Sequence, residues 1–349
     1  MMRKFSGAAP PLIVVLLFSA AFSCGSVSFL EADAQEGAQA AVDPAPELSV
    51  SAVQYEVELA DYHSAGIFAS EMERLVARAA GRGARLLVFP EYINVFLAFS
   101  AETELLSEAD SVREGAHIVF GSSGNTHTGN LHDLLLRRSE VVRRNMDRIW
   151  GRLADRHSVW IVAGSYFAAG GVNEEELYNR AVVYGPEGGL IHEQDKVHLT
   201  PFERSRVGLS AGRRRDAEMF EVSGWDCALT ICRDSFFDEW NELFEEAELW
   251  IDLKANGEEF GEHTPALFAE ALPERIGETG VPYGLTVCLN GEFLDLFWEG
   301  PSSIIRYDAH SGIGNNSAGE KSEGWSYVRR ASSVDEPDII VAELRFPGE

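Results

Sequence analysis

ARLLVFPEY, residues 84–92, places a short apolar run directly before a proline and a carboxylate. Four large apolar residues in a row fit a strand buried on both faces. Pro90 stops it, because proline cannot donate to the ladder, so Glu91 is delivered to the strand's carboxyl end. Upstream, LSVSAVQYEVEL (48–59) alternates as a strand does, and IFASEMERLVARAAGRG (67–83) has the helical period and ends at glycine. The opening is therefore strand, helix, strand. Downstream the alternation continues: a helix around SEVVRRNMDRIWGRLADRH (139–157), a strand in VWIVAGSYF (159–167), and two strands around a Gly-rich turn in YNRAVVYGPEGGLIHEQDKV (178–197). GWDCALTICRD (224–234) reads as a buried strand and DEWNELFEEAE (238–248) as a helix, with further strands at 249–256, 283–291, 302–308, 325–330 and 338–345. Many strands with interspersed helices predict a layered α/β or α+β sandwich.

Composition narrows the function class. Of 349 residues, 45% are hydrophobic, enough for a substantial core, while 56 acidic against 29 basic residues give a formal charge of -27. Such a chain repels a phosphate backbone, and nucleic acid is not an expected partner. Residues 1–24 combine Arg3 and Lys4 with an apolar run from 11 to 22, the layout of a secretory signal and too short for a membrane span. AFSC, followed by Gly25 and Ser26, also resembles a lipoprotein box, making Cys24 a lipidation candidate, although Phe22 fits it poorly. The expectation is an exported protein, periplasmic or on the outer cell surface, with a lipid anchor if Cys24 is modified. The Ala, Glu, Asp and Pro rich residues 25–47 read as a flexible acidic tether, and residues 48–349 as one domain.

The remaining cysteines are Cys227, Cys232 and Cys288. Cys227 and Cys232 lie on one strand-like run, about 16 Å apart and on opposite faces, beyond the roughly 7 Å a disulfide spans. They do not pair with each other, and a lipid on Cys24 would leave an odd, free thiol.

At three places a polar residue interrupts the end of an apolar run: Glu91 in VFPEY, Lys196 in HEQDKVHLTPFE and Cys232 in ALTICRD. Each alone has an ordinary explanation, as a solvated carboxylate, a surface lysine or a small buried hydrophobe. Their joint order is more telling. Glu91, Lys196, a second Glu seven positions on at Glu203, and Cys232 together resemble the nitrilase superfamily of carbon–nitrogen hydrolases. The resemblance runs from about Leu48 past Ser303 and takes in the early strand ending at Gln54, YNRAVVYGP from Tyr178, and LNGEFLDLFWEGPSSII (289–305).

That resemblance implies a four-layer αββα sandwich, commonly dimeric, that needs no cofactor. Cys232 would be the nucleophile, Glu91 the general base and later acid, and Lys196 the charge that lowers the thiol pKa and receives the oxyanion with the backbone N–H of Arg233. Glu203 would hold the lysine and the base. Nitrile-cleaving members carry Trp and Glu after the nucleophile. Arg233 and Asp234 stand there instead, nearer the amidase and carbamoylase style, so a small linear amide or carbamoyl compound is the expected substrate. DSFFDEW lacks the family's proline and DLKANGEEF lacks its Pro-Ser-Asn stretch, which leaves the pocket after Asp252 open. The long region 97–140 is read as a lid or a partner surface.

Competing readings are nitrile hydrolysis, acyl transfer to an amine, and a silent site on a surface-binding lipoprotein. His192 and His198 flank Lys196 without the spacing of a common zinc site, and GNTHTGN (124–130) and SGIGNNSAGE (311–320) lack the strand-to-helix context of a phosphate loop. No metal is expected.

Overall fold

The computed structural model describes residues 47–100, 102–111, 114–115, 131–309, 314–315, 321–322 and 324–346. The signal and tether, Cys24, GNTHTGN and most of SGIGNNSAGE lie outside the described residues, as does the middle of region 97–140.

Strand β1 (Glu47–Val57) organises the molecule. Its first half runs parallel to β2 (Leu86–Phe89) on one side and antiparallel to β15 (Asp338–Arg345) on the other. Beyond β2 the sheet continues through β3 (Trp160–Gly170), β4 (Glu176–Tyr184) and β5 (Leu190–Asp195). A second sheet runs from β6 (Phe220–Val222) through β7 (Trp225–Ile231), β8 (Leu249–Lys254), β9 (Tyr283–Phe293) and β11 (Ser303–Tyr307) to β14 (Trp325–Arg330). The last residues of β1 pair with the far half of β9, Tyr55 opposite Leu289, so the two sheets join at one corner. Strand β10 (Leu296–Trp298) folds back on β9, and β12 (Gly314–Asn315) pairs with β13 (Lys321–Ser322) as a separate ribbon.

Three apolar clusters show the layers. Leu48, Val50 and Ala52 of β1 meet Leu229, Ile251 and Val287 between the two sheets. From Val53 onward the odd positions of β1 turn the other way, and Val53 and Tyr55 pack with helices α1 (Ala65–Gly81) and α3 (Leu131–His157). On the opposite outer face, Ala228 and Trp250 pack against Phe244 of α4 (Asn241–Phe244) and Leu272 and Ile276 of α6 (Leu272–Thr279). Helix, sheet, sheet, helix is the expected αββα order. The central strands of both sheets are therefore buried on two faces, and β1 keeps only its terminal Glu47 exposed.

Two elements differ from the sequence reading. Helix α3 begins at Leu131 rather than near Ser139, because Leu134 and Leu135 extend its apolar stripe by two turns under the polar stretch. The helix expected over 238–248 shrinks to a 3-10 turn, Asp238–Trp240, and the single turn of α4. Burying Trp240, Phe244 and Ala247 against the outer face of β8 requires the chain to turn back at once into Leu249. Between these elements, α2 (Thr103–Leu106) lies beyond a 3-10 turn at Val95–Phe99, and α5 (Thr264–Ala269) precedes α6.

Candidate active site

Glu91 follows Pro90 at the end of β2 and is fully buried. The next residue, Tyr92, is left-handed with φ 65°, which turns the chain sharply away from the sheet. The turn is pinned by Asn94, whose Nδ2 donates to the Ala163 carbonyl at 2.7 Å and whose Oδ1 accepts from Trp150 Nε1 at 2.8 Å. Gly164 in β3, φ 68°, lets the Pro90 carbonyl pass; a Cβ there would sit 2.2 Å from that oxygen.

Lys196 follows β5 directly, held by its own N–H to the Asn179 carbonyl at 2.8 Å. Its side chain is not on the surface but fully buried. The ammonium lies 2.8 Å from Glu91 Oε1 and 2.9 Å from Glu203 Oε2. Glu203 opens one π-helical turn, Glu203–Val207, closed by Gly208 at φ 81°. The turn faces the carboxylate inward, where it also accepts from the Thr200 N–H at 2.8 Å.

Two residues absent from the sequence reading complete this cluster. Asn179 Nδ2 donates to both carboxylates, 2.8 Å from Glu91 Oε1 and 2.9 Å from Glu203 Oε1, and the Tyr92 hydroxyl donates to Glu203 Oε1 at 2.6 Å. Asn179 was visible only as the second residue of YNRAVVYGP, where an inward-facing polar residue inside an apolar strand is the available signal. Glu203 thus collects donors on both oxygens. Among the described residues, Glu91 uses only Oε1, and its buried Oε2 has no hydrogen-bond partner.

The electrostatics separate the two carboxylates. Burial pushes Glu91 up, and Glu203 adds to the effect, while Lys196 opposes it; the net value is about 7. Burial also pushes Glu203 up, but Lys196, Tyr92 and the Thr200 N–H outweigh it and hold Glu203 below the usual carboxylate range. Lys196 is disfavoured as a cation by burial, yet Glu91, Cys232 and Glu203 hold its pKa well above an ordinary lysine's, so it stays charged.

Cys232 follows β7 at φ 52°, an elbow that a side-chain-bearing residue rarely adopts, and opens a 3-10 turn, Cys232–Phe236. Asp234, fully buried, secures it: its carboxylate accepts from Ile231 N at 3.3 Å, Val197 N at 3.2 Å and His198 N at 2.7 Å. One side chain therefore ties the nucleophile's elbow to the segment carrying Lys196. His198 Nδ1 lies 3.0 Å from Asp234 Oδ1, with its ring stacked on Phe237, and His192 stacks on Phe220. Neither histidine lies in a metal-holding cluster among the described residues. The Arg233 side chain is exposed beside the Phe237 ring, so only its backbone belongs to the elbow.

Several groups act on the thiol besides Lys196. Lys196 does pull the Cys232 pKa down, but burial first and Glu91 second push it up, to about 12. Desolvation of this partly buried thiol outweighs the neighbouring cation and favours the protonated form. Cys227 and Cys288 are free and buried, whereas Cys232 is free and only partly buried.

On the far side of the elbow lies a second buried ion pair, also absent from the sequence reading. Lys254 Nζ is 2.7 Å from Asp252 Oδ2 and 3.3 Å from Ser235 Oγ, and Ser235 Oγ is 2.8 Å from the Cys232 carbonyl.

Known proteins resemble this chain in sequence and in fold. A nitrilase of Pyrococcus abyssi is 28% identical over 170 residues, 49% of this chain and 51% of that protein. A hydrolase encoded in the agr operon of Staphylococcus aureus is 39% identical over 88 residues, 25% of this chain and 32% of its own length. The chain thus spans about half, or less, of these curated relatives. Among solved structures, a double mutant of the amidase from Nesterenkonia sp. AN1 in complex with acrylamide superimposes with a TM-score of 0.57 at 15% identity, covering 85% of this chain and 90% of that one. A mutant of the same amidase in complex with butyramide gives 0.56 at 16% identity, covering 85% and 91%. These structures share the fold. The profile of the Carbon-nitrogen hydrolase family matches residues 49–241, more than half the chain, from within β1 past Cys232. With that match, this chain belongs to the carbon-nitrogen hydrolase family.

Proposed function

We propose that the protein hydrolyses a small linear amide or carbamoyl compound through a thioester on Cys232. The observation that carries this reading is a buried ammonium clamped between two carboxylates, one of which, Glu91, keeps a free oxygen within electrostatic reach of the thiol. With the thiol pKa at about 12 and that of Glu91 at about 7, the proton passes to Glu91 as sulfur attacks the carbonyl carbon rather than beforehand. The oxyanion is met by Lys196 and the Arg233 backbone N–H. Collapse of the tetrahedral intermediate breaks the C–N bond, and Glu91 returns the proton to the leaving ammonia or amine. Water, deprotonated by Glu91, then attacks the thioester; the carboxylic acid leaves and the thiol is restored. The amidase fold neighbours and the Arg233–Asp234 pair after the nucleophile support an amide over a nitrile.

The test is ammonia release across a panel of amides, nitriles and carbamoyl compounds, run with the wild type, Cys232→Ala and Cys232→Ser. Turnover of an amide by the wild type alone is expected; equal turnover by Cys232→Ala would remove the mechanism.

The proposal extends to setting. The segment 1–24 supports export to the periplasm or outer surface, with Cys24 as the anchor point, and incorporation of labelled fatty acid into the wild type but not Cys24→Ala tests it. A homodimer is proposed on family resemblance, with sedimentation as its check.

A further inference from the structure

Lys254 and Asp252 end β8, the strand parallel to the one carrying the nucleophile, and both are buried. Isolated ions do not stay in such a place, and this pair is well made: 2.7 Å between Nζ and Oδ2, with the ammonium also 5.1 Å from the Phe236 ring centroid and 5.6 Å from that of Phe268. Three connections bring it to the nucleophile. Ser235 lies 3.3 Å from Lys254 Nζ and 2.8 Å from the Cys232 carbonyl. Phe236, under the ammonium, closes the turn that Cys232 opens. Ala255, next to Lys254 in sequence, presents its carbonyl 4.0 Å from the Cys232 sulfur.

The geometry points to Lys254 as a second cation serving the Cys232 sulfur, an electrostatic positioning residue held in place by Asp252 and acting in addition to Lys196. This rests on the reading of Cys232 as the nucleophile. When the thiol proton moves to Glu91, negative charge appears on sulfur in a buried site that already holds Glu91 and Glu203. Lys196 is shared between those two carboxylates. Lys254 gives up no proton; it keeps all three and lowers the energy of the developing thiolate through its field. The charged and titratable groups around it are Asp252 on its own strand, Asp234 from the turn after β7, Cys288 from β9, and Cys232, with Glu91 and Lys196 also acting on the sulfur. Among them Lys254 favours the thiolate and Asp252 opposes it.

That opposition supplies a test that a scaffolding role cannot imitate. The rate at which iodoacetamide alkylates Cys232, located by peptide mass spectrometry, is followed from mildly acidic to alkaline pH. Lys254→Met is expected to slow alkylation at neutral pH about tenfold or more and to move the profile to higher pH, since each tenfold loss of thiolate is one pH unit. Lys254→Arg keeps the charge and stays within about threefold of wild type on the same reasoning. Asp252→Asn retains an oxygen to accept from Lys254 but loses its charge, and should speed alkylation. If Lys254→Met and the wild type superimpose, or if Lys254→Met and Asp252→Asn both slow the reaction alike, the inference is overturned. Should Lys254→Met fail to fold by circular dichroism, Asp252→Asn/Lys254→Met leaves no unpaired ion. It must also alkylate more slowly than Asp252→Asn alone, and equal rates would overturn the inference. Alkylation needs no amide turnover, so a chain that hydrolyses nothing in the substrate panel yet shows these shifts would refute the proposed function and leave this inference standing.

Discussion

The hydroxyl of Tyr92 donates to Glu203 Oε1 at 2.6 Å, joining the residue after the base to the residue that holds the lysine. Tyr92→Phe removes a donor from a buried carboxylate without opening space. We expect a stability loss of roughly 1–3 kcal/mol, read by denaturant titration, and a fall in kcat smaller than that of any substitution at Lys196. Wild-type values for both would show that the bond does not matter.

Lys196→Gln leaves Glu91 and Glu203 facing each other in a buried site. Removing one partner of a buried pair costs about 3–5 kcal/mol, so this variant should be clearly destabilised, and its amide turnover should fall roughly a hundredfold or more. Lys196→Arg should not rescue, because a planar guanidinium does not fit where a compact ammonium sits between two carboxylates. Thermal melts beside ammonia-release assays separate lost stability from lost chemistry; near wild-type turnover in a folded Lys196→Gln would reassign the site.

Glu91 makes both activity and stability depend on pH. With its folded value near 7 it must lose a proton to act, so kcat/KM should rise through about pH 7 on its acid side, and Glu91→Gln should lose turnover roughly a hundredfold or more. For stability the sign is opposite. The folded state binds the Glu91 proton more tightly than the unfolded state, so this group's contribution is complete at acid pH and is lost as pH rises to about 7. Wild type should therefore lose stability relative to Glu91→Gln across that window, by roughly 3 kcal/mol at most. A difference that does not change with pH would contradict the assignment.

Gly164→Ala tests the backbone under the base. A methyl there would lie 2.2 Å from the Pro90 carbonyl and 2.5 Å from Ile93 Cγ2, at a φ that alanine resists. The loop carrying Glu91 has to move, and we expect a loss of about 1–3 kcal/mol together with a fall in kcat. An alanine variant with native stability and turnover would mean that this close approach is not needed.

Much of this was legible because apolar runs that stop at a polar residue mark strand ends, and Glu91, Lys196 and Cys232 all sit at such ends. The layered α/β class followed from strands alternating with helices, and the αββα order from the family resemblance. What stayed hidden depended on the third dimension. Nothing local in HEQDKVHL distinguishes a lysine clamped between carboxylates from one in water. Asn179, Tyr92 and Asp234 act on residues far away in sequence, over gaps that only strand pairing closes. Asp252 and Lys254 looked like a break in a family pattern, because i and i+2 on one strand share a face but only the neighbouring turn reveals what that face meets. The net pKa of the thiol was not legible for the same reason, since desolvation cannot be counted without knowing burial.

The pairing of β1 with β15, in which Glu47 faces Arg345 and Gln54 faces Asp338, carries a kinetic consequence. The strand at the corner of both sheets acquires one of its three neighbours only after almost all of the described chain has been synthesised. An antiparallel contact between positions so remote has to close a very long loop, which places the molecule among slowly maturing, high-contact-order folds. Until that closure, Ser51 and Gln54, buried in the finished protein, are held on an open strand edge exposed to any other chain that can add a strand. Refolding at rising protein concentration should therefore divert material into aggregates before the last strand docks, whereas the finished molecule, with that edge sealed, should not aggregate by this route.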